Sequence, residues 1–416
     1  MNISIEFGIM FTINRLPYTI YWLPVLHEYL YPNPMEKRDQ MLYDKLKEYA
    51  AGGVYPMHMP GHKRNMELLP LGLPYDIDIT EIHGFDDLHD AHGILREISE
   101  LASGLYGSDR AFLLVNGSTV GILAAIGAHT ERGDRILATS NCHRSVRNAA
   151  ALFGLDPVYL TPETDETSGI ACSISPEAVD LALKKMPDIK LVVVTSPTYE
   201  GVISDIGSIA DIVHGRNIPL FVDSAHGAHL GFSPGFPGSA VRAGADIVVM
   251  SLHKTLPALT QCSLLHICGA WANAGETARL LSVLQTSSPS YVLLASIDRC
   301  LRLLEADGDK LFYGYERNLS RFSNDIMTLK NLSVLCHGSP LPCPDFFAFD
   351  PGKLVIVTKN TALSGFMLAD ILRTEYKIEL ELANNDFALA MTGICDSTEG
   401  FTRLAEALTA IDNASD

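Results

Sequence analysis

No two cysteines in this 416-residue sequence have C-x-x-C spacing. The eight cysteines, Cys142, Cys262, Cys300 and Cys395 among them, are scattered along the chain. That argues against a zinc ribbon and against a disulfide framework, and makes a reduced, cytoplasmic setting the default expectation. No uninterrupted apolar run reaches the roughly 18 residues of a membrane-spanning helix. A basic stripe is missing too. Thirty-one Lys and Arg stand against 49 Asp and Glu, a formal net charge of −18, so nucleic acid is a poor candidate for a partner. An acidic surface suits an amine, although it serves solubility equally well. Internal repeats and low-complexity segments are also absent.

What is present is an ordinary globular composition, 47% hydrophobic and 19% charged, with length for roughly two or three domains. The first 34 residues are apolar and aromatic but broken by Glu6, Arg15, Pro17 and Pro24. They do not follow a signal peptide's order. We expect Met35 to be the true start and residues 1–34 to be an atypical extension. Residues 35–50 read as a helix, with Leu42, Leu46 and Tyr49 at helical spacing and Gly52-Gly53 as its stop. Two polar loops follow, Met57–Asn65 and then Asp78–Glu81 with Gly84–His89. Their density of His and Asp raises the prior for function over plain connection.

From residue 94 the pattern becomes regular. A helix over about 94–107 precedes the apolar run Ala111–Val115, the turn Asn116-Gly117-Ser118-Thr119 and a helical stretch from Val120 to His129. Such a strand, glycine turn and hydroxyl-bearing helix start can bind an anion through N–H groups and the helix dipole. The turn matches neither a Walker loop nor G-x-G-x-x-G, and Ser118 or Thr119 could equally be a plain N-cap. Strands then alternate with helices as far as Met250, the last helix a short one around Val241 and Ala243. Alternation of this kind predicts an α/β fold with a mostly parallel sheet, and ligands bind such sheets outside the carboxyl ends of strands. Five polar clusters fall at strand ends: Gly117-Ser118-Thr119, His143, Ser196–Tyr199, Asp223–His226 and Ser251–Lys254. A further strand is expected within Cys262–Cys268. Helices over 276–284, 292–304 and 312–329 follow, the last two broken at Glu305-Ala306-Asp307-Gly308. We expect residues 35–93 to carry the first helix and loops, 94–330 a large domain, and 331–416 a small α+β domain.

Lys254 follows the apolar strand Ile247–Met250. A lysine there is either a surface residue in a turn or an amine nucleophile with a lowered pKa. One lysine, one aspartate, a flat histidine ring and a phosphate-sized nest are the parts that pyridoxal 5'-phosphate needs. Its aldehyde takes a lysine, its ring nitrogen a carboxylate, its phosphate N–H and hydroxyl donors, and its ring face an aromatic partner.

The sequence resembles the group-III ornithine/lysine/arginine decarboxylases, on the fold type I, aspartate aminotransferase-like scaffold. The resemblance spans roughly residues 36–412. It rests on Pro60-Gly61-His62-Lys63, Asp86-Asp87-Leu88-His89, Asn116-Gly117-Ser118-Thr119, Ser196-Pro197-Thr198-Tyr199, Asp223-Ser224-Ala225-His226-Gly227-Ala228-His229 and Ser251-Leu252-His253-Lys254-Thr255. It is nearest the short bacterial form, without the wing domain and longer C-terminal region of larger members. The resemblance implies that Lys254 carries the cofactor as an imine, Asp223 pairs with the pyridinium nitrogen and His143 stacks on the ring. It implies that Gly117, Ser118, Thr119, Ser251 and His253 hold the phosphate. Ala225 and His226 would lie against the ring, with a core role for His226 left open, and Thr198 near the ring hydroxyl.

The implied reaction is decarboxylation of arginine, lysine or ornithine to the corresponding amine. Glu81, Asp86, Asp87 and His89 are candidate substrate contacts, with solvated loop residues as the alternative. A homodimer or higher oligomer is implied, its site at the subunit interface and the hydroxyl-rich run around Ser288 reaching a neighbour's phosphate. His83, His89, His92, His226 and His229 do not form a zinc set, so no metal is expected. Two other readings stay open: another fold type I enzyme, such as an aminotransferase with Arg373 or Arg403 on the carboxylate, and a non-catalytic homologue.

Overall fold

The computed structural model describes residues 52–53, 55–57, 85–335, 338, 345–359 and 361–414. The extension, the helix expected over 35–50, the Pro60–Lys63 motif and Glu81 lie outside the described residues.

The site is built on a seven-stranded sheet. Its strands in chain order are β1 (Arg110–Leu114), β2 (Arg135–Thr139), β3 (Asp156–Leu160), β4 (Ile189–Thr195), β5 (Leu220–Asp223), β6 (Ile247–Ser251) and β7 (Ser263–Ile267). Across the sheet the order is β1-β7-β6-β5-β4-β2-β3. Every pairing from β6 to β3 is parallel, while β7 runs antiparallel to both β6 and β1. The sheet is therefore mostly parallel, as alternation predicts, with one strand reversed near an edge.

Helices cover both faces, so the inner strands are apolar along their whole length rather than on alternate residues. All of β5, β6 and β7 is buried, whereas the edge strand β3 is half-exposed. The helices between them are α1 (Ile94–Tyr106), α2 (Gly117–Ala128), α3 (Arg144–Phe153), α4 (Pro176–Lys185), α5 (Ile206–His214), α6 (Leu252–Thr255, a single turn) and α7 (Ala274–Leu284). Helix α2 is buried on nearly every side because it packs among the sheet, α3 and α7. Its sequence, almost all small and aliphatic, suits that place. The segment around Val241 and Ala243 is a turn and not the short helix that its apolar residues suggest.

Beyond β7 the largest difference from the sequence reading is α8 (Tyr291–Asp325), a single helix of 35 residues. No break occurs at Glu305–Gly308. Buried Leu294, Ile297, Leu301, Leu304, Gly308, Phe312, Tyr315, Leu319 and Phe322 form an unbroken stripe at three- and four-residue spacing. One interior glycine costs only about 0.5–1 kcal/mol, less than the burial of any one of the flanking aromatic residues.

A second sheet follows, with β8 (Ser333–Leu335), β9 (Lys353–Val357), β10 (Leu382–Ala383) and β11 (Phe387–Met391) in the order β8-β9-β11-β10, all antiparallel. Helices α9 (Gly365–Thr374) and α10 (Thr398–Ala414) accompany it. Two short pairings tie this region back to the first: Val202–Ile203 with Ala348–Phe349, and Tyr55–Met57 with Ile378–Leu380. Val54–Asp416 packs as one compact unit. Among the described residues no helix is long and apolar enough to cross a membrane.

Candidate active site

The carboxyl ends of β1, β2, β4, β5 and β6 face one cavity of about 730 Å³. Of the residues singled out from sequence, Gly117, Ser118, Thr119, His143, Asp223, Ala225, His226, Ser251, His253 and Lys254 all line it. Strand separation in sequence is thus undone by the sheet.

The anion nest is assembled by β7. Ser118 at the start of α2, Ser251 at the end of β6 and Ser263 at the start of β7 meet in a buried hydroxyl cluster. Ser118 Oγ lies 2.6 Å from Ser251 Oγ and 3.3 Å from Ser263 Oγ. Gly117 has φ of +71°, the left-handed conformation that lets the strand turn sharply into α2. Asn116 occupies the N-cap position but does not cap the helix. Its Oδ1 accepts from Thr286 N instead, at 3.1 Å. Gly117 N donates to Gln261 O at 3.0 Å, but beyond it the first turn of α2 has no side-chain cap on its N–H groups or on the positive end of its dipole, the donor set a phosphate monoester takes.

His143 caps α3. Its Nδ1 lies 2.8 Å from Ser145 Oγ and accepts from Ser145 N at 3.3 Å, and Ser145 Oγ lies 3.2 Å from Thr119 Oγ1. The hydroxyl chain fixes the imidazole plane and links it to the nest. Burial lowers the His143 pKa, with Asp223 opposing and Lys254 and Arg144 adding to the effect, so the ring is neutral.

Asp223 ends β5, buried to 2% exposure, and Oδ1 accepts Ala225 N at 3.2 Å. Burial raises its pKa, against Lys254, the Ala225 N–H and His143. A carboxylate under that strain seeks a cationic partner inside the cavity, and a protonated pyridine nitrogen is one.

Lys254 sits in α6, the turn that leaves β6. Its Nζ lies 2.9 Å from His226 Nε2 and 6.0 Å from the centre of the Tyr199 ring. Burial lowers the Lys254 pKa, and Asp223 and Glu381 offset this only in part. That is the setting of an amine nucleophile rather than of a surface lysine.

Thr198 is not in the cavity. It is buried, and its Oγ1 accepts Val202 N at 3.2 Å within its own turn. The neighbouring Tyr199 lines the cavity instead, donating its hydroxyl to Glu381 and holding its ring 4.6 Å from that of His226.

Three of the candidate substrate contacts also fall elsewhere. Asp86 accepts N–H groups from Asp87, His92, Gly93 and Leu95. Burial raises its pKa, but these backbone donors outweigh that and hold the carboxyl below its usual range. It organises the entrance to α1. Asp87 accepts His89 N at 2.8 Å, and His89 Nε2 contacts Thr286 O at 2.9 Å. His89 lines a separate groove beside α1 and β1. The run around Ser288 is exposed, with Thr286 bonded to Asn116 at the rim of the nest. Among the described residues no group of three or more His, Cys, Asp and Glu side chains could hold a metal.

Three residues bonded around the site, none of them lining the cavity, carry no signal in the sequence. Gln285 anchors the 285–290 loop to β1, accepting Val115 N at 2.9 Å. Glu381 and Lys353 come from the second sheet region, and Lys353 Nζ lies 3.0 Å from His226 Nδ1.

The family model described as Orn/Lys/Arg decarboxylase, major domain, matches residues 40–335. The chain is 34% identical over 385 residues to an arginine decarboxylase of Bacillus subtilis, covering 91% of this chain and 78% of the relative. It is 33% identical over 382 residues to an arginine decarboxylase of Halalkalibacterium halodurans, covering 90% and 77%. Among solved structures, lysine decarboxylase A of Pseudomonas aeruginosa superposes with a TM-score of 0.68 at 20% identity, covering 81% of this chain and 53% of that one. The chain spans about half the length of the lysine decarboxylases of known structure that it matches. A Nostoc alanine–glyoxylate aminotransferase shares the fold more completely, with a TM-score of 0.62 at 14% identity over 85% and 92% of the two chains. The fold is that of the fold type I pyridoxal phosphate enzymes.

Proposed function

This chain belongs to the Orn/Lys/Arg decarboxylase family, and from that premise we infer that it is a pyridoxal phosphate-dependent decarboxylase of a basic amino acid, with arginine the favoured substrate. The observation that carries the reading is Lys254. It is a half-buried amine at a strand end, sharing with Asp223 and His143 a cavity that also holds an uncapped helix start. The relatives at 31–34% identity that bear a functional name are arginine decarboxylases, and the lysine decarboxylases stand at 24–26%.

The donor set fits the cofactor. The first turn of α2, with the Ser118–Ser251–Ser263 hydroxyls and His253, would hold the phosphate. Asp223 would hold a proton on the pyridine nitrogen, and the His143 ring would lie against the cofactor face. Bound there, pyridoxal phosphate supplies a sink for the electron pair left when carbon dioxide departs from the substrate's α-carbon. The residues of this chain do the rest. Lys254 Nζ, whose pKa burial lowers, would be the nucleophile toward the aldehyde and would be available to return a proton to the α-carbon. Asp223, buried at the end of β5, would stabilise positive charge on the ring nitrogen. Apolar walls such as Ile122 reduce the water around the departing carboxylate. We propose a homodimer at least for the working form.

The test is a panel of arginine, lysine and ornithine, following amine and carbon dioxide, with Lys254→Ala as control. Arginine should give the highest kcat/KM, and the variant should lose about 10³-fold or more. A wild-type protein that holds the cofactor and releases no carbon dioxide from any of the three overturns the decarboxylase reading.

A further inference from the structure

His226 stands between two lysines. Its Nε2 lies 2.9 Å from Lys254 Nζ and its Nδ1 lies 3.0 Å from Lys353 Nζ. Counting protons makes this arrangement informative. A neutral imidazole has one N–H and one lone pair, and an ammonium can only donate. Two ammonium groups cannot both be satisfied by one neutral ring. One of the two lysines must accept the ring N–H, and only a free amine can do so.

The surroundings decide which. Lys353 opens β9 and is buried to 1% exposure. Its neighbour is Asp350, also fully buried, whose Oδ1 lies 3.0 Å from His229 Nε2. Burial raises the Asp350 pKa, but His229 and Lys353 outweigh it and keep the carboxylate ionised. Lys353 N donates to Asp350 O at 3.0 Å, which sets the Asp350 carboxylate beside the Lys353 backbone, and the two side chains are coupled electrostatically. On that ground the ammonium is assigned to Lys353. The Lys353 stem passes Gly201, which has φ of +108°, and a methyl group there would come within 2.7 Å of Lys353 Cγ. The lysine is held in place by packing as well as charge.

We propose that Lys353 is a positioning residue for Lys254: its ammonium donates to Nδ1 of His226, fixes the ring proton on Nε2, and so offers Lys254 Nζ a donor instead of an acceptor. A donor aimed at Nζ stabilises the free amine and opposes its protonation. The charge of Lys353 acts in the same direction through the ring. This deepens the cofactor-lysine reading of Lys254 and rests on it. Lys353 itself touches neither the cavity nor its contents. The other groups facing the pair are Asp223 and Glu381, which favour the Lys254 cation, and His229 and His253, which with both lysines and burial keep His226 neutral. Tyr199 donates to Glu381 and presents only its ring to Lys254.

The experiment uses the cofactor-free full chain with ¹⁵N-labelled histidine. The His226 resonances should show the Nε2–H tautomer. Competitive labelling by a small acylating reagent, read by mass spectrometry across pH, reports the free-amine fraction of Lys254. Lys353→Met should slow that labelling about tenfold at neutral pH, and Lys353→Arg should restore part of it. An Nδ1–H tautomer in the wild type overturns the proposal, as does wild-type labelling in a Lys353→Met protein with an unchanged circular dichroism spectrum. The tautomer decides the matter even if the variant does not fold. If the wild type captures no pyridoxal phosphate, the cofactor reading fails, and the tautomer still reports separately on the Lys353–His226–Lys254 relay.

Discussion

Asp223 places a carboxyl group where burial disfavours its charge. The folded chain raises its pKa above the unfolded value. Between the two values the native state binds the extra proton, so this group's contribution to stability falls as pH rises through that window. At neutral pH without cofactor it is a net liability. Asp223→Asn should therefore raise the melting temperature of the cofactor-free chain at pH 7 by about 2 °C or more, with the gain shrinking toward pH 4. The same substitution should lower kcat by roughly 10²–10³-fold, since a neutral amide cannot hold the pyridine nitrogen charged. Differential scanning fluorimetry and steady-state kinetics on one pair of proteins check both. A variant less stable than the wild type at pH 7 sinks the electrostatic account. The placement of Lys254 and Asp223 in one cavity was legible because each ends an apolar run. Lys353 was not, because it acts 127 residues away from His226 through a second sheet, and in sequence it is one polar residue at the start of a strand. Thr198 was misplaced by a single position: the Ser196–Tyr199 turn was legible, but which of its side chains faces the cavity depends on how that turn folds back on Val202.

At the scale of elements, strands were easier to read than helix ends. The doubly covered sheet writes itself as unbroken apolar runs, whereas a helix break inferred from Glu305–Gly308 did not survive the apolar stripe that runs through it. Reversal of β7 left no trace either, since a buried strand has the same composition in both directions. The continuity of α8 makes a stability prediction. Nothing lies within 4 Å of a methyl group built on Gly308. Gly308→Ala should stabilise the chain by about 0.5–1 kcal/mol, because alanine loses less backbone entropy in a helix interior. Urea unfolding with an unchanged slope would register it. A destabilised variant would mean that this position must bend or pack more closely than the helix implies.

For the whole molecule the dominant quantity is charge. A formal net charge of −18 should draw a cationic amino acid toward the surface, and salt should weaken that attraction. We expect kcat/KM for arginine to fall a few-fold between about 10 and 200 mM monovalent salt, where the Debye length shortens from roughly 30 to 7 Å, with kcat nearly constant. A profile that is flat, or that falls in kcat alone, removes long-range attraction from the account.

The position of β7 has a consequence for how the chain is made. Gly117 and Lys254 leave the ribosome far apart in time, and the strands that carry them, β1 and β6, are not neighbours until β7 slots between them. A nascent chain that stops before Ser263 can pair β6, β5, β4, β2 and β3 but has no strand on which to hang β1. The direct Ser118–Ser251 hydroxyl contact, and the Ser263 hydroxyl beside it, are then still unmade. The hydroxyl cluster at the start of α2 is therefore completed only once β7 is made, after Lys254 itself, and Glu381 and Lys353 arrive later still.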